Sequence, residues 1–590
     1  MKTQSKEIRL SGVAASPGIA MGPILVLGSD TIFVEEQRIN SKEIDLELDK
    51  FDKALDKSKK DLQKLYEKAL VSYGDEAAQI FNVHTHLLED PMIVDETIKK
   101  IRKDKCNSDY AFASIIDNYI QSLDEMSDEL FKSRTTDLHD IKRRVIRYLQ
   151  GDDPARLKQV DSPVIIFAKE LTPSETIRLD RSKVLGFAMD FGARTSHATI
   201  LARSIKVPAV VGLNQAGKYL KNGDSVILDG EEGLLIIHPN QSTLTQFQKR
   251  YSELQILEKR LEAIKKLPAR TKDGKDIELA SNIEFPQEVE TIQDLQGDGV
   301  GLFRTEYLFL ADEYEPTEEQ QFQEYKNLLE RLEGKPLIIR TYDLGGDKPS
   351  KSLIIPPEQN PFLGVRGVRL YRDSGHQLFR TQLRAIFRAS VFGDIRVMFP
   401  MIACMSEIQY CRRIINEIKV ELKRQKIEFS ENVPIGAMIE VPSAAATADL
   451  IADECDFLSI GTNDLIQYST AVDRGNENLG YLYQPYNPAV LRFIRDTIAM
   501  GHQKGVWVGM CGEMASDPLM TMVLIGLGLD EFSLSPVSHL LIKEIIRHVE
   551  YHECESMAQK ALQFSTSDDV HNYLNNIYQK KFRHLLHLTH

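Results

Sequence analysis

The run Gly192–Ile200 places one histidine, His197, directly after two hydroxyl-bearing residues. A neutral imidazole has a free lone pair near pH 7 and can attack a phosphorus atom. The apolar stretch Val184–Phe191 predicts a buried strand before it, and the residues after it predict a helix start, whose amides favour an anion. From this run alone, a buried histidine bonded to a Thr or Ser hydroxyl remains the alternative.

Strand-like runs alternate with helical patterns in the second half of the chain. The runs are Ile277–Ile283, Val300–Thr305, Pro336–Asp343, Ile395–Met401, Pro434–Val441, Phe457–Thr462, Val506–Met510 and Glu531–Leu534. Such alternation predicts a (β/α)8 barrel. A doubly wound sheet also alternates strands with helices and is the alternative.

Polar residues cluster at the ends of these runs. They include Arg304, Glu306, Arg340, Asp343, Glu440, Asn463, Asp464, Cys511 and Glu513. In a barrel, strand ends converge on the mouth where such folds place active sites. Each residue alone is better explained as a structural salt-bridge partner, but five strands contributing together favour a site.

The residue types at this mouth suit an anionic substrate bound through a metal. Arginines 304 and 340 offer planar forks for phosphate or carboxylate, and Arg474 and Lys348 are further cations in loops. Glu440 and Asp464 offer carboxylate oxygens to Mg²⁺. Cys511 is either an inert buried thiol or a proton carrier, and the residues alone leave both open.

Longer elements must position these residues. Asn40 with Glu43 predicts a capping box, and apolar spacing from Phe51 to Ala69 predicts a long amphipathic helix. Helical patterning continues to about residue 150, with β-rich sequence on both sides, so the helical block is predicted to be inserted into an α/β domain. A second long helix with one apolar face is predicted to link the halves and to stop at Pro268.

The predicted fold class is therefore a multidomain α/β protein. Residues 1–30 and 151–240 form the β/α domain that carries His197, residues 31–150 the all-helical domain, residues 241–267 the linker helix, and residues 268–590 the barrel.

Composition restricts the functional class. The 590 residues carry a net charge of −14, which argues against non-specific nucleic-acid binding and is compatible with a basic protein partner. The six cysteines are scattered without framework spacing, as is typical of a reducing compartment. With no signal-like or membrane-spanning stretch recognised, we expect a soluble, cytoplasmic protein.

Several motifs together resemble enzyme I of the bacterial phosphotransferase system, the phosphoenolpyruvate–protein phosphotransferase family. Besides the Thr195–His197 run, they are Gly301–Glu306, Arg340–Lys348, Asn360–Gly364, Met438–Pro442, Gly461–Leu465, Asp473–Asn476 and Gly509–Glu513. The resemblance runs from the first strands to about Val549.

The resemblance implies an activity and its partners. His197 would take the phosphoryl group of phosphoenolpyruvate through Nε2, with release of pyruvate, and pass it to a histidine of the carrier protein HPr. The β/α domain would swivel between the barrel and the carrier, with residues 151–154 and the linker as candidate hinges. Residues 31–150 would bind HPr, and the barrel would form a homodimer.

The resemblance also implies a role for each site residue. Thr176 would hydrogen-bond His197, and Cys511 would protonate the departing enolate. Phosphoenolpyruvate contacts would come from Arg304, Arg340, Asn463, Asp464 and Arg474, with Lys348 and Arg366 in supporting positions. Mg²⁺ would be held by Glu440 and Asp464.

Some positions depart from the family pattern. Ala193 replaces a second glycine, residues 349–352 replace a segment containing Pro-Tyr, and Val365 replaces an aromatic residue. The segment 81–86 differs around a retained His84. His84 and His86 are not expected to share a metal, because positions i and i+2 lie on different helix faces.

Two other functions are the alternatives. A pyruvate-phosphate dikinase or phosphoenolpyruvate synthase relative would need a nucleotide-binding domain, and residues 28–150 contain no Gly-rich phosphate loop. A regulatory relative without turnover is disfavoured by the full set of chemical residues. The sequence does not identify the carrier, the downstream sugars or the strength of dimerisation.

Overall fold

A computed structural model describes residues 6–27, 34–73, 75–124, 129–150, 162–169, 171, 181–191, 202, 207–310, 315–346, 358–372, 374–582 and 585. The chain divides into two compact units, Met1–Glu253 and Leu254–Thr589. The predicted Thr176, His197, Lys348, the hinge residues 151–154 and the departures at Ala193 and 349–352 lie outside the described residues.

An eight-stranded mixed sheet organises the first unit. Its strands are β1 (Ile8–Ser11), β2 (Val13–Ser16), β3 (Ile19–Val26), β4 (Val164–Ala168), β5 (Val184–Met189), β6 (Ala209–Val211), β7 (Ser225–Asp229) and β8 (Leu234–Ile237), in the order β1-β8-β7-β3-β4-β5-β6-β2. Strand β3 pairs in parallel with β4, with Ile24 opposite Ile165, so sequence from both sides of the helical block meets in one sheet. This confirms the predicted insertion.

Strand β5 is the one that precedes the His197 run. Five of its six residues, Val184 and Gly186–Met189, pair in parallel with β4, and the strand is almost wholly buried. A strand with both faces covered is expected to be apolar throughout, as this one is. The predicted buried strand is thus confirmed, although it ends at Met189, two residues before the predicted end at Phe191.

Between β3 and β4, the described residues form five helices. They are α1 (Ile44–Tyr73), α2 (Asp75–Leu87), α3 (Pro91–Asp104), α4 (Ser108–Asp124) and α5 (Glu129–Leu149). Their shared core includes Phe51, Leu62, Phe81 and Phe112, which are fully buried. One half of the predicted capping box is present, because Glu43 Oε2 accepts from the Asn40 amide at 2.8 Å, whereas Asn40 Oδ1 accepts from the Lys42 amide at 3.0 Å instead of that of Glu43.

The histidines of α2 lie on different faces, as their spacing predicts. His84 is fully buried, and its Nε2 lies 3.0 Å from Asp137 Oδ1. His86 is exposed. The two histidines therefore do not form a metal pair.

A closed barrel organises the second unit. Its strands are β9 (Glu278–Ile283), β10 (Val300–Arg304), β11 (Leu337–Arg340), β12 (Ile395–Phe399), β13 (Ile435–Ile439), β14 (Phe457–Ile460), β15 (Trp507–Met510) and β16 (Glu531–Leu534). All neighbouring pairs are parallel, and β16 closes the barrel on β9 with Glu531 opposite Glu278. Each strand lies inside a predicted run, so the barrel is confirmed and the doubly wound alternative is excluded.

Helices surround this barrel. The linker helix is α6 (Gln241–Ile264), which ends before Pro268 as predicted. It is followed by α7 (Val289–Leu295), α8 (Tyr307–Leu310), α9 (Glu318–Leu332), α10 (Val368–Tyr371), α11 (His376–Ala389), α12 (Met405–Gln425), α13 (Pro442–Ala446), α14 (Ala448–Ala452), α15 (Thr462–Thr470), α16 (Pro488–Gln503), α17 (Pro518–Gly526), α18 (His539–His548), α19 (Tyr551–Ala561) and α20 (Ser567–Lys581). One continuous apolar core joins helices and strands.

The helices of the described residues are too short or too polar to be membrane spans. None of them combines the length and the apolar character that crossing a bilayer requires.

Candidate active site

The carboxyl ends of the barrel strands enclose a cavity of about 420 Å³. It is lined by Leu302, Arg304, Arg340, Asp343, Arg366, Met438, Glu440, Gly461, Asn463, Asp464, Arg474, Tyr483, Cys511, Gly512 and Glu513. Every predicted barrel-site residue that the structure describes is among them. The sequence-based expectation that these strand ends share one mouth is met, while the role of each residue remains a prediction.

Arg340 is fixed deep in this mouth. Its Nη2 donates to Glu306 Oε2 at 2.9 Å, and the other oxygen of Glu306 accepts from the Asp343 amide at 2.8 Å. Burial alone would lower the pKa of Arg340, but the carboxylates of Glu306, Asp343 and Glu440 outweigh it and raise that pKa above its usual value. Arg340 therefore keeps its charge, and Glu306 orients it.

Arg366 is held even more tightly. Its Nη2 donates to Asp343 Oδ2 at 2.8 Å and its Nη1 donates to Asp464 Oδ1 at 3.0 Å. The same Nη1 donates to the Tyr468 hydroxyl at 3.1 Å. Only 1% of the residue is exposed, so these partners satisfy a charge that is costly to bury alone.

Arg304 and Arg474 present their guanidinium groups more openly. The Arg304 side chain is 34% exposed and pairs with Glu284 at the rim. The Arg474 side chain is 27% exposed and lies 4.0 Å from Asp464 Oδ2. Both side chains are thus more accessible from the cavity than those of Arg340 and Arg366, which are almost wholly buried.

Glu440 is a buried carboxylate with one committed oxygen. Its Oε1 accepts from the Met401 amide at 2.6 Å. Burial raises its pKa to about 8, and the carboxylates of Asp464 and Asp343 add to that shift. A cation bound beside these three carboxyl groups would relieve the repulsion between them and favour the ionised form of Glu440.

The acidic residues of this cavity fit a magnesium ion that takes most of its ligands from water and substrate. Glu440 and Asp464 supply two carboxylates, and no group of three or more His, Cys, Asp or Glu that could hold a metal occurs among the described residues. Mg²⁺ is bound in this way in many enzymes, through one or two carboxylates with waters and substrate oxygens completing its shell.

Cys511 is a protonated thiol at neutral pH. Burial raises its pKa to about 11, and its Sγ lies 3.9 Å from the Ile460 carbonyl oxygen. The residue is 3% exposed but lines the cavity. A thiol in this state is a proton donor rather than a nucleophile.

Asn463 is held by the neighbouring strand end. Its Oδ1 accepts from the Glu513 amide at 3.0 Å, and its carbonyl oxygen accepts from the Tyr483 hydroxyl at 3.2 Å. Tyr483 was missed as a site residue, because it lies beyond α15 and not at a strand end. Asp343 and Glu513 were recognised as strand-end residues but were given no role.

Two glycines allow the strand ends to approach closely. A Cβ at Gly461 would lie 2.6 Å from Glu440 Oε2, and one at Gly512 would overlap Thr462. Neither glycine has a positive φ, so a side chain is excluded by lack of space and not by the backbone conformation.

Val365, where the sequence departs from the family pattern, is also described. Its amide donates a hydrogen bond to Glu358, and its side chain packs on the barrel core.

Comparison with known proteins covers nearly the whole chain. Family models match residues 11–134 (PEP-utilising enzyme, N-terminal), 160–233 (PEP-utilising enzyme, mobile domain) and 258–551 (PEP-utilising enzyme, PEP-binding domain). Relatives named phosphoenolpyruvate-protein phosphotransferase are 41% identical in Priestia megaterium, 42% in Bacillus subtilis and 40% in Haemophilus influenzae. These alignments cover 97%, 95% and 95% of this chain, and 99%, 98% and 97% of the relatives. The chain belongs to the phosphoenolpyruvate-protein phosphotransferase family, enzyme I of the phosphotransferase system.

Proposed function

We propose that this chain transfers the phosphoryl group of phosphoenolpyruvate to His197, releases pyruvate, and passes the group on to a histidine of HPr. This is the first step of the sugar phosphotransferase system. The observation that carries the proposal is one cavity lined by four arginines, four acidic residues and a protonated thiol.

The arginines supply the charge that the substrate needs. Arg340 and Arg366 are fixed by carboxylates before substrate arrives, so their orientation costs nothing at the moment of reaction. Arg304 and Arg474, which are more exposed, close on the phosphate and carboxylate of phosphoenolpyruvate. Asn463 adds an amide, and Lys348 a further cation.

Magnesium is the proposed cofactor, held by Glu440 and Asp464. When bound, it would neutralise charge on the phosphoryl oxygens and on the departing enolate oxygen. Asp464 Oδ1 is bonded to Arg366, whereas its Oδ2 is 4.0 Å from Arg474, which leaves that oxygen the freer of the two.

The chemical step breaks the bond between phosphorus and the enol oxygen. His197 Nε2 forms the new bond to phosphorus, and Thr176 orients the ring through a hydrogen bond. The electron pair left on the enolate takes a proton at carbon from the thiol of Cys511, giving pyruvate. Because the pKa of that thiol is about 11, it holds its proton until the basic enolate carbon forms.

The second transfer requires a protein partner. We infer that residues 31–150 bind HPr and that residues 1–30 with 151–240 carry His197 between HPr and the barrel of residues 268–590, through the linker 241–267. One histidine cannot face both partners at once, so the carrying domain must move. A homodimer through the barrel and a cytoplasmic location complete the proposal.

The test is incubation with phosphoenolpyruvate labelled in its phosphoryl group, with Mg²⁺, comparing wild type and His197→Ala. Wild type is expected to become labelled and to release the label to HPr, and His197→Ala is expected to stay unlabelled. Equal labelling of both would refute the assignment of His197. Labelled ATP without phosphoenolpyruvate is the second arm, and labelling there would indicate a dikinase instead.

A further inference from the structure

The backbone of Cys511 lies just past the end of strand β15, and the neighbouring strand no longer satisfies its carbonyl group. The Cys511 amide still donates to the Ile460 carbonyl of β14 at 3.1 Å. In a continued parallel ladder the Cys511 carbonyl would accept from the amide of Thr462, but β14 ends at Ile460 and α15 begins at Thr462. Cys511 is only 3% exposed, and a buried carbonyl without a partner is costly.

Asn282, on β9, supplies the donor for this carbonyl. Its Nδ2 donates to the Cys511 carbonyl oxygen at 3.1 Å, although β16 lies between β9 and β15 in the barrel. A carbonyl oxygen can only accept, so Asn282 must present the nitrogen of its amide group to it. Both backbone polar groups of Cys511 are therefore bonded, the amide to Ile460 and the carbonyl to Asn282.

The other end of the Asn282 amide is held by Ser533. Ser533 is fully buried, and its Oγ donates to Asn282 Oδ1 at 2.6 Å. In the pairing of β16 with β9, Ser533 lies opposite Ala280, so Asn282, two residues further along β9, is on the same face. Gly301 leaves room for the hydroxyl, since a Cβ there would lie 2.4 Å from Ser533 Oγ. The orientation of Asn282 is thus set by the barrel itself.

Fixing this backbone also directs the Cys511 thiol. The bonded amide and carbonyl lie on either side of Cα, which leaves Sγ only the few staggered positions about the Cα–Cβ bond. A general acid must lie within about 3 Å of the atom that takes its proton, and a misplacement of about 1 Å can cost about a hundredfold in rate. Asn282 is not among the described residues that line the cavity, so any effect that it has on the substrate passes through Cys511.

We propose that Asn282, oriented by Ser533, is a positioning residue that directs the Cys511 thiol toward one face of the enolate. This inference rests on the function proposed above, in which that thiol gives its proton to the enolate carbon and the thiolate left behind regains a proton from water. Without Asn282 the Cys511 carbonyl loses its hydrogen bond, and proton delivery from the thiol becomes slow. The enolate then leaves the cavity and takes a proton from water on either face.

The hydrogen bond itself can be observed without substrate. Cys511–Gly512 is the one Cys-Gly pair of the sequence, so carbonyl-13C cysteine with 15N glycine gives a single TROSY-HNCO signal in the full chain. Asn282→Leu keeps a similar volume without hydrogen-bonding groups. The Cys511 carbonyl signal is expected to move upfield in this variant, as a carbonyl carbon does when it loses a hydrogen bond. Asn416→Leu, at an exposed asparagine of α12, is the matched control, and an unmoved signal in Asn282→Leu would show that the bond is not made.

The stereochemistry of the product measures the positioning. Phosphoenolpyruvate that carries deuterium stereospecifically at carbon 3 is converted in tritiated water with Mg²⁺ and HPr, and the configuration of the chiral methyl group of pyruvate is determined. Wild type and Asn416→Leu are expected to give one configuration, because the thiol adds its proton from one face. Asn282→Leu is expected to give both, with kcat lowered about tenfold or more and phosphoenolpyruvate affinity by calorimetry within about twofold. A single configuration at an unchanged rate would overturn the positioning role.

Ser533→Ala keeps the test independent of whether Asn282→Leu folds. It removes only the hydroxyl that orients the Asn282 amide, and it is expected to shift the signal and lower kcat in the same direction, by about threefold for kcat. Two variants that both match wild type would refute the proposal. Wild type that fails to label His197 would instead refute the proposed function, while the carbonyl signal, recorded without phosphoenolpyruvate, still decides whether Asn282 holds Cys511. Pyruvate of both configurations from wild type would refute Cys511 as an oriented proton donor.

Discussion

Cys511 combines access to the cavity with a retained proton. Five of the chain's six cysteines are buried, and burial raises the pKa of Cys455 as well, to about 12. The difference is position, since Cys511 follows strand β15 into the mouth and Cys455 does not line it. The chemical role that we propose for this buried thiol depends on the strand end that carries it.

Substituting Cys511→Ala should therefore separate binding from turnover. Phosphoenolpyruvate affinity is expected to stay within about twofold, because the thiol is no anion ligand, while pyruvate release falls by at least about a hundredfold, the usual contribution of an acid catalyst. Calorimetry gives the affinity and a coupled pyruvate assay gives the rate. Cys455→Ala is the matched control, and unchanged turnover in Cys511→Ala would remove the thiol from the mechanism.

At the scale of elements, the parts of the site that the sequence predicted best are those at strand ends. Arg304, Arg340 and Cys511 could be assigned to one mouth because a parallel barrel brings all carboxyl ends of its strands together. Tyr483 could not, since it lies in an irregular segment after α15 whose path no periodicity encodes. Nor does the sequence show that Gln467 Nε2 lacks a hydrogen-bond partner among the described residues, because a glutamine inside a helical pattern carries no sign of what its side chain contacts.

Helix α18 carries a histidine whose titration should affect stability. His539 is buried and its ring nitrogens have no hydrogen-bond partner among the described residues. Burial, together with Lys543 and Lys335, lowers its pKa to about 4 from 6.5. In the folded protein the ring is neutral, so its contribution to stability is complete above pH 6.5 and is lost as pH falls toward 4, where the unfolded chain binds the extra proton.

The expected slope is up to about 1.4 kcal/mol of unfolding free energy per pH unit between those limits. Urea unfolding of wild type and His539→Leu between pH 7 and pH 5 measures it. Wild type is expected to lose more stability than the variant over that interval. Parallel losses in both proteins would show that His539 is not the group responsible, and His571→Leu, on α20, serves as the control.

At the scale of the whole molecule, the proposed phosphoryl transfer to His197 and then to HPr would require one domain to visit two partners. The chain supplies a long connecting helix, α6, between the sheet-based unit and the barrel. The helical block is inserted between β3 and β4, so the two ends of the block connect to adjacent strands of one sheet. The sequence predicted this organisation because composition changes sharply at both ends of the block.

Distances between the units should therefore respond to substrate. Fluorophores placed through unnatural amino acids at exposed Lys221 and Lys426 report one position on each unit. We expect the distribution of distances between them to change when phosphoenolpyruvate and Mg²⁺ are added. The same pair of fluorophores in His197→Ala reports the part of the distance change that occurs before phosphoryl transfer. Distances that stay constant under all conditions would exclude a moving domain.

The pairing of β16 with β9 has a consequence for how the protein is made. The barrel stays open until Leu534 has left the ribosome, whereas every strand of the first sheet has been synthesised by Ile237. At ordinary rates of translation, the interval between them is on the order of tens of seconds. Throughout that interval, the nascent chain can already contain the folded first sheet, while the cavity at the mouth of the barrel has not yet formed.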